Sequence, residues 1–304
     1  MSIIAGIWLG GQLISPSVAA ALLQFDFPLI NSSLRSPAEV AITIIVVIYF
    51  IAAFFNLFIP RSRAVLSPIN RRAGQLLADF ADCNARLWRD KLGQITLATT
   101  TLLWGIFGNL RVIIFAWAAV ALGFGTVQAV NLAGAVVVGS IAGAVLAAYT
   151  VPLSRALALM PLASAVGVLM IGLDLIDTAA VAIPFLAILG AICGFLIVPM
   201  NALLQHRGSS VTGAGRSIAV QGFNEQSCVL LLGTIYALTT RGGMPVFGTI
   251  AIFGLFIVCA MEYIRYRHRR NCARHRSEIE QSLMVAGASV SGRPPGSAGE
   301  ASEV

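Results

Sequence analysis

Charge is what this 304-residue chain has least of: Asp, Glu, Lys and Arg make up 11% of it, against roughly 25% in an ordinary soluble domain. Lys91 is the sole lysine, and it follows no glycine-rich phosphate loop, so ATP-driven work would require a separate subunit. The five cysteines (Cys83, Cys193, Cys228, Cys259, Cys272) show no paired spacing, and His206, His268 and His275 fall in no metal-binding pattern. No His-x-x-x-x-Asp acyltransferase signature occurs. These absences leave no catalytic residue, no metal site and no cofactor to expect, and they exclude the common enzyme classes. Lone cysteines inside helices are small packing residues.

What the chain has is apolar surface. Hydrophobic residues make up 58% of it and the mean hydropathy is +0.86, which describes a multi-spanning membrane protein. Eight runs are long enough to cross about 30 Å of hydrocarbon as helices: 2–23, 38–60, 94–122, 126–149, 156–173, 178–204, 213–239 and 244–266. The expected fold is therefore all-α and polytopic. The first run has no Lys or Arg ahead of Arg35 and so lacks the charged start of a secretory signal; it is read as a retained span.

Loop charges set an orientation. Seventeen Lys and Arg residues fall in the 61–93 segment, the turn at Arg155, the 205–216 connection and the tail, whereas the opposite loops hold only Arg35 and Arg241 together with Asp26, Asp174 and Asp177. The basic side is expected to be cytoplasmic, with both termini on it. The net charge of +7 is accounted for by this asymmetry and by anionic membrane lipids, with no need of nucleic acid.

Segment 61–93 divides the chain into two spans (1–60) and six (94–266), followed by a basic and then disordered tail over 267–304. Within the divider, Ile69, Ala73, Leu76, Leu77, Phe80, Leu87 and Trp88 recur at helical spacing, which predicts an amphipathic connector resting on the membrane surface. Gly6 and Gly10, Gly139 and Gly143, and Gly190 and Gly194 form Gly-x-x-x-Gly pairs that let helices approach closely.

Polar residues inside an apolar span carry the functional signal. Gln221, Asn224 and Glu225 lie within the run from Ser217 to Ala237 at i, i+3 and i+4 spacing, so a helix aims them at one side, with Ser217 and Cys228 extending the stripe. A carboxylate facing lipid at the hydrocarbon centre costs at least a few kcal/mol, so this face is expected to meet other helices or a water-filled path.

The stretches GFLIVPMNALLQHRG (194–208) and GAGRSIAVQGFNEQS (213–227), with LWGIFGNLRVIIFAW (103–117) and NARLWRDKLGQ (84–94) in support, resemble the bacterial lysophospholipid transporters of the major facilitator superfamily. The resemblance runs over about residues 2–266 and is strongest from 84 to 240. It implies a partial facilitator fold with a complete C-terminal six-helix bundle. Family members have twelve helices, so the eight runs here correspond to the fifth onward and four are absent, whether from a late start assignment, a gene fragment or a short form. The implied activity is a flippase of the bacterial inner membrane, moving lysophospholipids such as lysophosphatidylethanolamine to the cytoplasmic leaflet. A separate lysophospholipid acyltransferase would then reacylate them. The alternatives are an exporter of drugs or small amphiphiles, or an inactive transporter fragment.

With Gln221, Asn224 and Glu225, Arg111 completes the expected substrate-binding set. It lies deep in the third span on one face with Trp104, Gly108 and Phe115, where a guanidinium suits a phosphodiester. It is open to three readings: a lipid-phosphate ligand, a buried pair with Glu225, or a side chain that snorkels to the interface. Asn201, Gln205 and Arg207, with His206, close the sixth span after Pro199, which frees a backbone carbonyl one turn earlier and bends the helix there; they are either a gate or an interfacial helix end.

Overall fold

The computed structural model describes residues 37–57 and 73–275, and every regular element among them is helical. In chain order they are α1 (Pro37–Leu57), α2 (Ala73–Arg89), α3 (Gly93–Ala121), α4 (Thr126–Thr150), α5 (Met160–Gly172), α6 (Ala179–Thr212), α7 (Ala214–Arg241) and α8 (Val246–Arg274). A 3₁₀ segment, Leu153–Leu159, leads into α5, and the two together form a span ending at Leu175. The run 2–23, the Gly6 and Gly10 pair, and the chain after residue 275 lie outside the described residues.

Five of these elements are long and apolar enough to cross a membrane: α3, α4, the Leu153–Leu175 span, α6 and α8. This is an all-α polytopic membrane protein. The α7 helix has 28 residues but falls short of that apolarity because it carries Arg216, Gln221, Asn224, Glu225 and Arg241. Its place is set by packing: Ser217, Val220, Gln221, Glu225, Leu232 and Tyr236 are buried against neighbouring helices.

Small residues fix how the helices meet. A Cβ on Gly139 or Gly143 of α4 would collide with the carbonyl oxygen of Ala187 or Ala191. Reciprocally, one on Gly190 or Gly194 of α6 would collide with that of Val136 or Ser140. The two Gly-x-x-x-Gly pairs therefore interlock, and the backbones of α4 and α6 touch. A smaller version joins α5 to α8, where Gly167 and Gly254 each lie against the other's carbonyl. Buried hydroxyls do not upset this packing: Thr96 and Thr99 donate to backbone carbonyls one turn back on α3.

The α2–α3 turn, the end of α6 and the end of α8 gather at one end of the bundle. Arg207 of α6 makes a two-bond ion pair with Asp90 (2.9 and 2.7 Å), and Arg267 of α8 donates to Gln94 (2.9 Å). Asn271 donates to the Lys91 carbonyl (3.3 Å). α8 thus continues as helix through residues assigned from sequence to the tail, because its last turns are tied to α3. Segments rich in basic residues share this end.

Candidate functional site

α7 starts at a sharp break. Gly213, at φ +87°, closes α6 and opens α7 with no intervening loop, a conformation open to glycine and strained for other residues. Four residues into α7, Ser217 sits so close to Gly208 of α6 that a Cβ there would overlap its hydroxyl. One turn on, the polar group begins.

Gln221 is 7% exposed and Glu225 9% exposed, both on the buried side of α7. The Gln221 amide donates to Glu225 Oε1 (2.8 Å) and to Asn201 Oδ1 on α6 (3.1 Å), making a chain of three polar side chains within an apolar bundle. Gln221 Oε1 and Ser217 Oγ are buried with no hydrogen-bond partner among the described residues. Leaving such a group unpaired costs about 1–3 kcal/mol, so the site holds unspent capacity for a polar ligand or water.

Asn224 does not join them. It donates to Asn84 Oδ1 of α2 (2.9 Å) and to the Val220 carbonyl (2.8 Å), and it accepts from Trp88 Nε1 (3.2 Å). The expected stripe therefore splits in two: Gln221 and Glu225 turn toward α6, and Asn224 turns toward α2. Residues 224 and 225 are about 100° apart on a helix, enough to face different neighbours.

α2 is docked on the bundle as well as amphipathic. Leu87 and Cys83 are buried with Leu97, Leu204 and Val220, with Phe80 packed against them. Phe80 meets Phe223 edge-on at 5.3 Å, and Asp79 pairs with Arg216 at 3.4 Å. Leu76 and Leu77 stay exposed, so part of the apolar face remains turned outward. Asn84, Trp88 and Asp90 are site neighbours that the sequence reading missed. The cue for them was NARLWRD itself, polar residues interleaved with the buried Leu87.

Arg111 stands apart. The seam between α3 and α7 places Gly105 beside Cys228 and Gly108 beside Val229, while Asn109 donates to the Val229 carbonyl at 3.0 Å. That register sets Glu225 level with residues near 103, so Arg111 lies about 12 Å further along the axis. Arg111 is exposed, and no described carboxylate pairs with it, so the buried pair with Glu225 is not formed. Of the three gate candidates, Asn201 belongs to the polar chain, Gln205 is half-buried, and Arg207 is held by Asp90. Asp90 also accepts from the Gly93 amide at 2.7 Å. Burial disfavours its charge, but the bonds from Arg207 and the backbone outweigh that and hold its carboxyl below the usual carboxylate range.

Together, membrane-length helices, glycine-tight seams and a buried polar chain between α6 and α7 describe a polytopic membrane protein. The chain is homologous to proteins named lysophospholipid transporter LplT. It is 35% identical over 207 residues to those of Yersinia pestis (strain Pestoides F) and Yersinia pseudotuberculosis serotype O:3 (strain YPIII). The match covers 68% of this chain and 51% of each relative, so the chain spans about half the length of the curated relatives it matches. No family model and no solved structure matches it.

Proposed function

We propose that this chain takes part in moving lysophospholipids, such as lysophosphatidylethanolamine, across the bacterial inner membrane toward the cytoplasmic leaflet, as part of a facilitator-type transporter with cytoplasmic termini. The supporting observation is the buried chain Asn201, Gln221 and Glu225, with Gln221 Oε1 unpartnered among the described residues, in a homologue of proteins named lysophospholipid transporter. A lysophospholipid has a polar headgroup and one acyl chain. A polar pocket between helices shelters the first while the second stays in lipid.

Glu225 suits the ammonium of an ethanolamine headgroup, Gln221 and Asn201 supply hydrogen bonds, and Arg111 suits the phosphate. In this conformation a single headgroup is too short to touch Arg111 and Glu225 together. They therefore act at successive positions along its path, with Arg111 reached nearer the far end of α3. Asn224 and the docked α2 helix close the site on its other side, and Gln205 with the Asp90–Arg207 pair forms the gate at the basic end. Lysophospholipid delivered there is a substrate for a separate acyltransferase.

The test is reconstitution in proteoliposomes, alone and with a polypeptide supplying the relatives' remaining half, followed by a fluorescent lysophosphatidylethanolamine assay. The expected result is saturable movement in the combined preparation, little with the chain alone, and a large loss on Glu225→Leu. Movement of cationic amphiphiles without lysophospholipid would make the chain part of an exporter instead. No movement of either would leave the inactive-fragment reading standing.

A further inference from the structure

The end of α8 carries a surface unrelated to the polar site. α8 has 29 residues, and about 20 suffice for the hydrocarbon, so its last two turns extend past the apolar layer. Tyr263 and Tyr266, 60% and 59% exposed, sit where the apolar sequence gives way to basic residues. Arg267, Arg270 and Arg274 follow at spacings of four, seven and eleven from Tyr263, which puts all of them on one helix face. All three arginines are exposed.

Two features distinguish this stripe from a solvated charge run. Its base is anchored: Arg267 donates to Gln94 at the start of α3 and Asn271 to the Lys91 carbonyl in the turn before it, tying down the last turns. It is also unneutralised, since none of Arg267, Arg270 and Arg274 forms an ion pair among the described residues, while nearby Glu262 is taken by Arg265 and Ser164. Exposed tyrosines at the end of the apolar stretch, followed by exposed arginines with no carboxylate partner among the described residues, match the interface of an anionic leaflet.

We propose that the Tyr263, Tyr266, Arg267, Arg270 and Arg274 face of α8 docks anionic phospholipid headgroups of the surrounding bilayer. The bound lipid is a resident of the membrane, distinct from any transported molecule, and the proposal does not rest on the transport reading. The tyrosine rings set the depth, and the guanidinium groups take the phosphate and the added negative charge of a lipid such as phosphatidylglycerol.

The test uses the full chain in phosphatidylcholine vesicles doped with spin-labelled phosphatidylglycerol or spin-labelled phosphatidylcholine. The immobilised fraction of each label gives the relative association. The expected preference for phosphatidylglycerol is about fivefold or more, screened by salt. Arg267→Gln with Arg270→Gln and Arg274→Gln should bring it near one, while the same three positions changed to Lys should retain most of it. Arg86→Gln with Arg89→Gln and Arg155→Gln removes equal charge elsewhere and should leave the preference intact, with helical content and elution profile checked for every variant. No preference in the unsubstituted chain, or equal loss in the two Gln triples, would overturn the proposal. Loss of preference in the Lys variant would do so for the charge-based recognition.

Discussion

Two seams in this bundle solve the same packing problem in opposite ways. Between α4 and α6, four glycines let backbones touch, and the one buried hydroxyl, Ser140, bonds to its own helix at the Val137 carbonyl. At the α7 seams, with α3 on one side and α6 on the other, polar side chains cross between helices, and three buried polar atoms of α7 (Ser217 Oγ, Gln221 Oε1 and Tyr236 Oη) lack partners among the described residues. The first seam is closed, with its buried hydroxyl satisfied. The second has polar capacity to spare, the property a transport site needs and a scaffold avoids.

The largest effect should come from filling the closed seam. Gly143→Leu drives a side chain into the Ala191 backbone, and no folded protein should be recovered from detergent by size exclusion. Even Gly143→Ala should cost at least about 1–3 kcal/mol, seen as a lower thermal midpoint. Gly222→Ala on α7 is the contrast: its Cβ meets nothing within 4 Å, so the midpoint should hold or rise slightly.

Next is function in the polar seam. In a preparation that also contains the relatives' remaining half, the proposed function predicts that Glu225→Leu lowers lysophospholipid movement at least tenfold, on the order of 1.4 kcal/mol or more. Leu231→Ala, at an exposed position, should leave it nearly unchanged. Because Arg111 and Glu225 do not touch, Arg111→Met combined with Glu225→Leu should give added losses in flux. Recovery in the double variant would mean that the two side chains pair and that the seam is structural after all.

A cost in stability alone falls at the basic end. Asp90→Asn should destabilise by about 1.5–3 kcal/mol in thermal melts, since it loses a charged hydrogen-bonded partner. The sign with pH follows from the lowered carboxyl: its contribution is present above the unfolded value of about 3.9 and is lost as pH falls through the lower folded value. The gap between Asp90→Asn and the unsubstituted chain should therefore close in acid. The smallest effect should be Asn84→Ala, about 0.5–1.5 kcal/mol, through the single bond from Asn224.

Much of this contrast was written in the sequence. Gly-x-x-x-Gly spacing marked the closed seam, and Gln221 with Glu225 at i, i+4 marked the open one, because spacing along one helix fixes which side chains share a face. Partners on other helices were not legible. Asn201 was singled out from its own helix end, with no sign that it meets Gln221. Asn224 looked like a member of the same face until α2 supplied Asn84 and Trp88. Helix α2 itself reads identically whether its apolar side meets headgroups or Val220 and Leu204, since periodicity records burial without naming the neighbour. Arg111 was legible as a charge inside α3, but whether it pairs with Glu225 depends on the register between two helices, which packing at Gly105 and Gly108 decides.

The most direct test of the central claim, that the α6–α7 polar seam receives a lysophospholipid headgroup, is site-specific photocrosslinking. A photoreactive residue replaces Gln221, Leu231 or Gly143's exposed neighbour Val145 in turn, and the full chain, assembled with the remaining half, is irradiated with radiolabelled lysophosphatidylethanolamine. The account predicts labelling at 221 that unlabelled lysophospholipid competes away and diacyl phospholipid does not, with only uncompeted background at 231 and 145. Equal, non-competable labelling at all three positions, or none at 221, would contradict it.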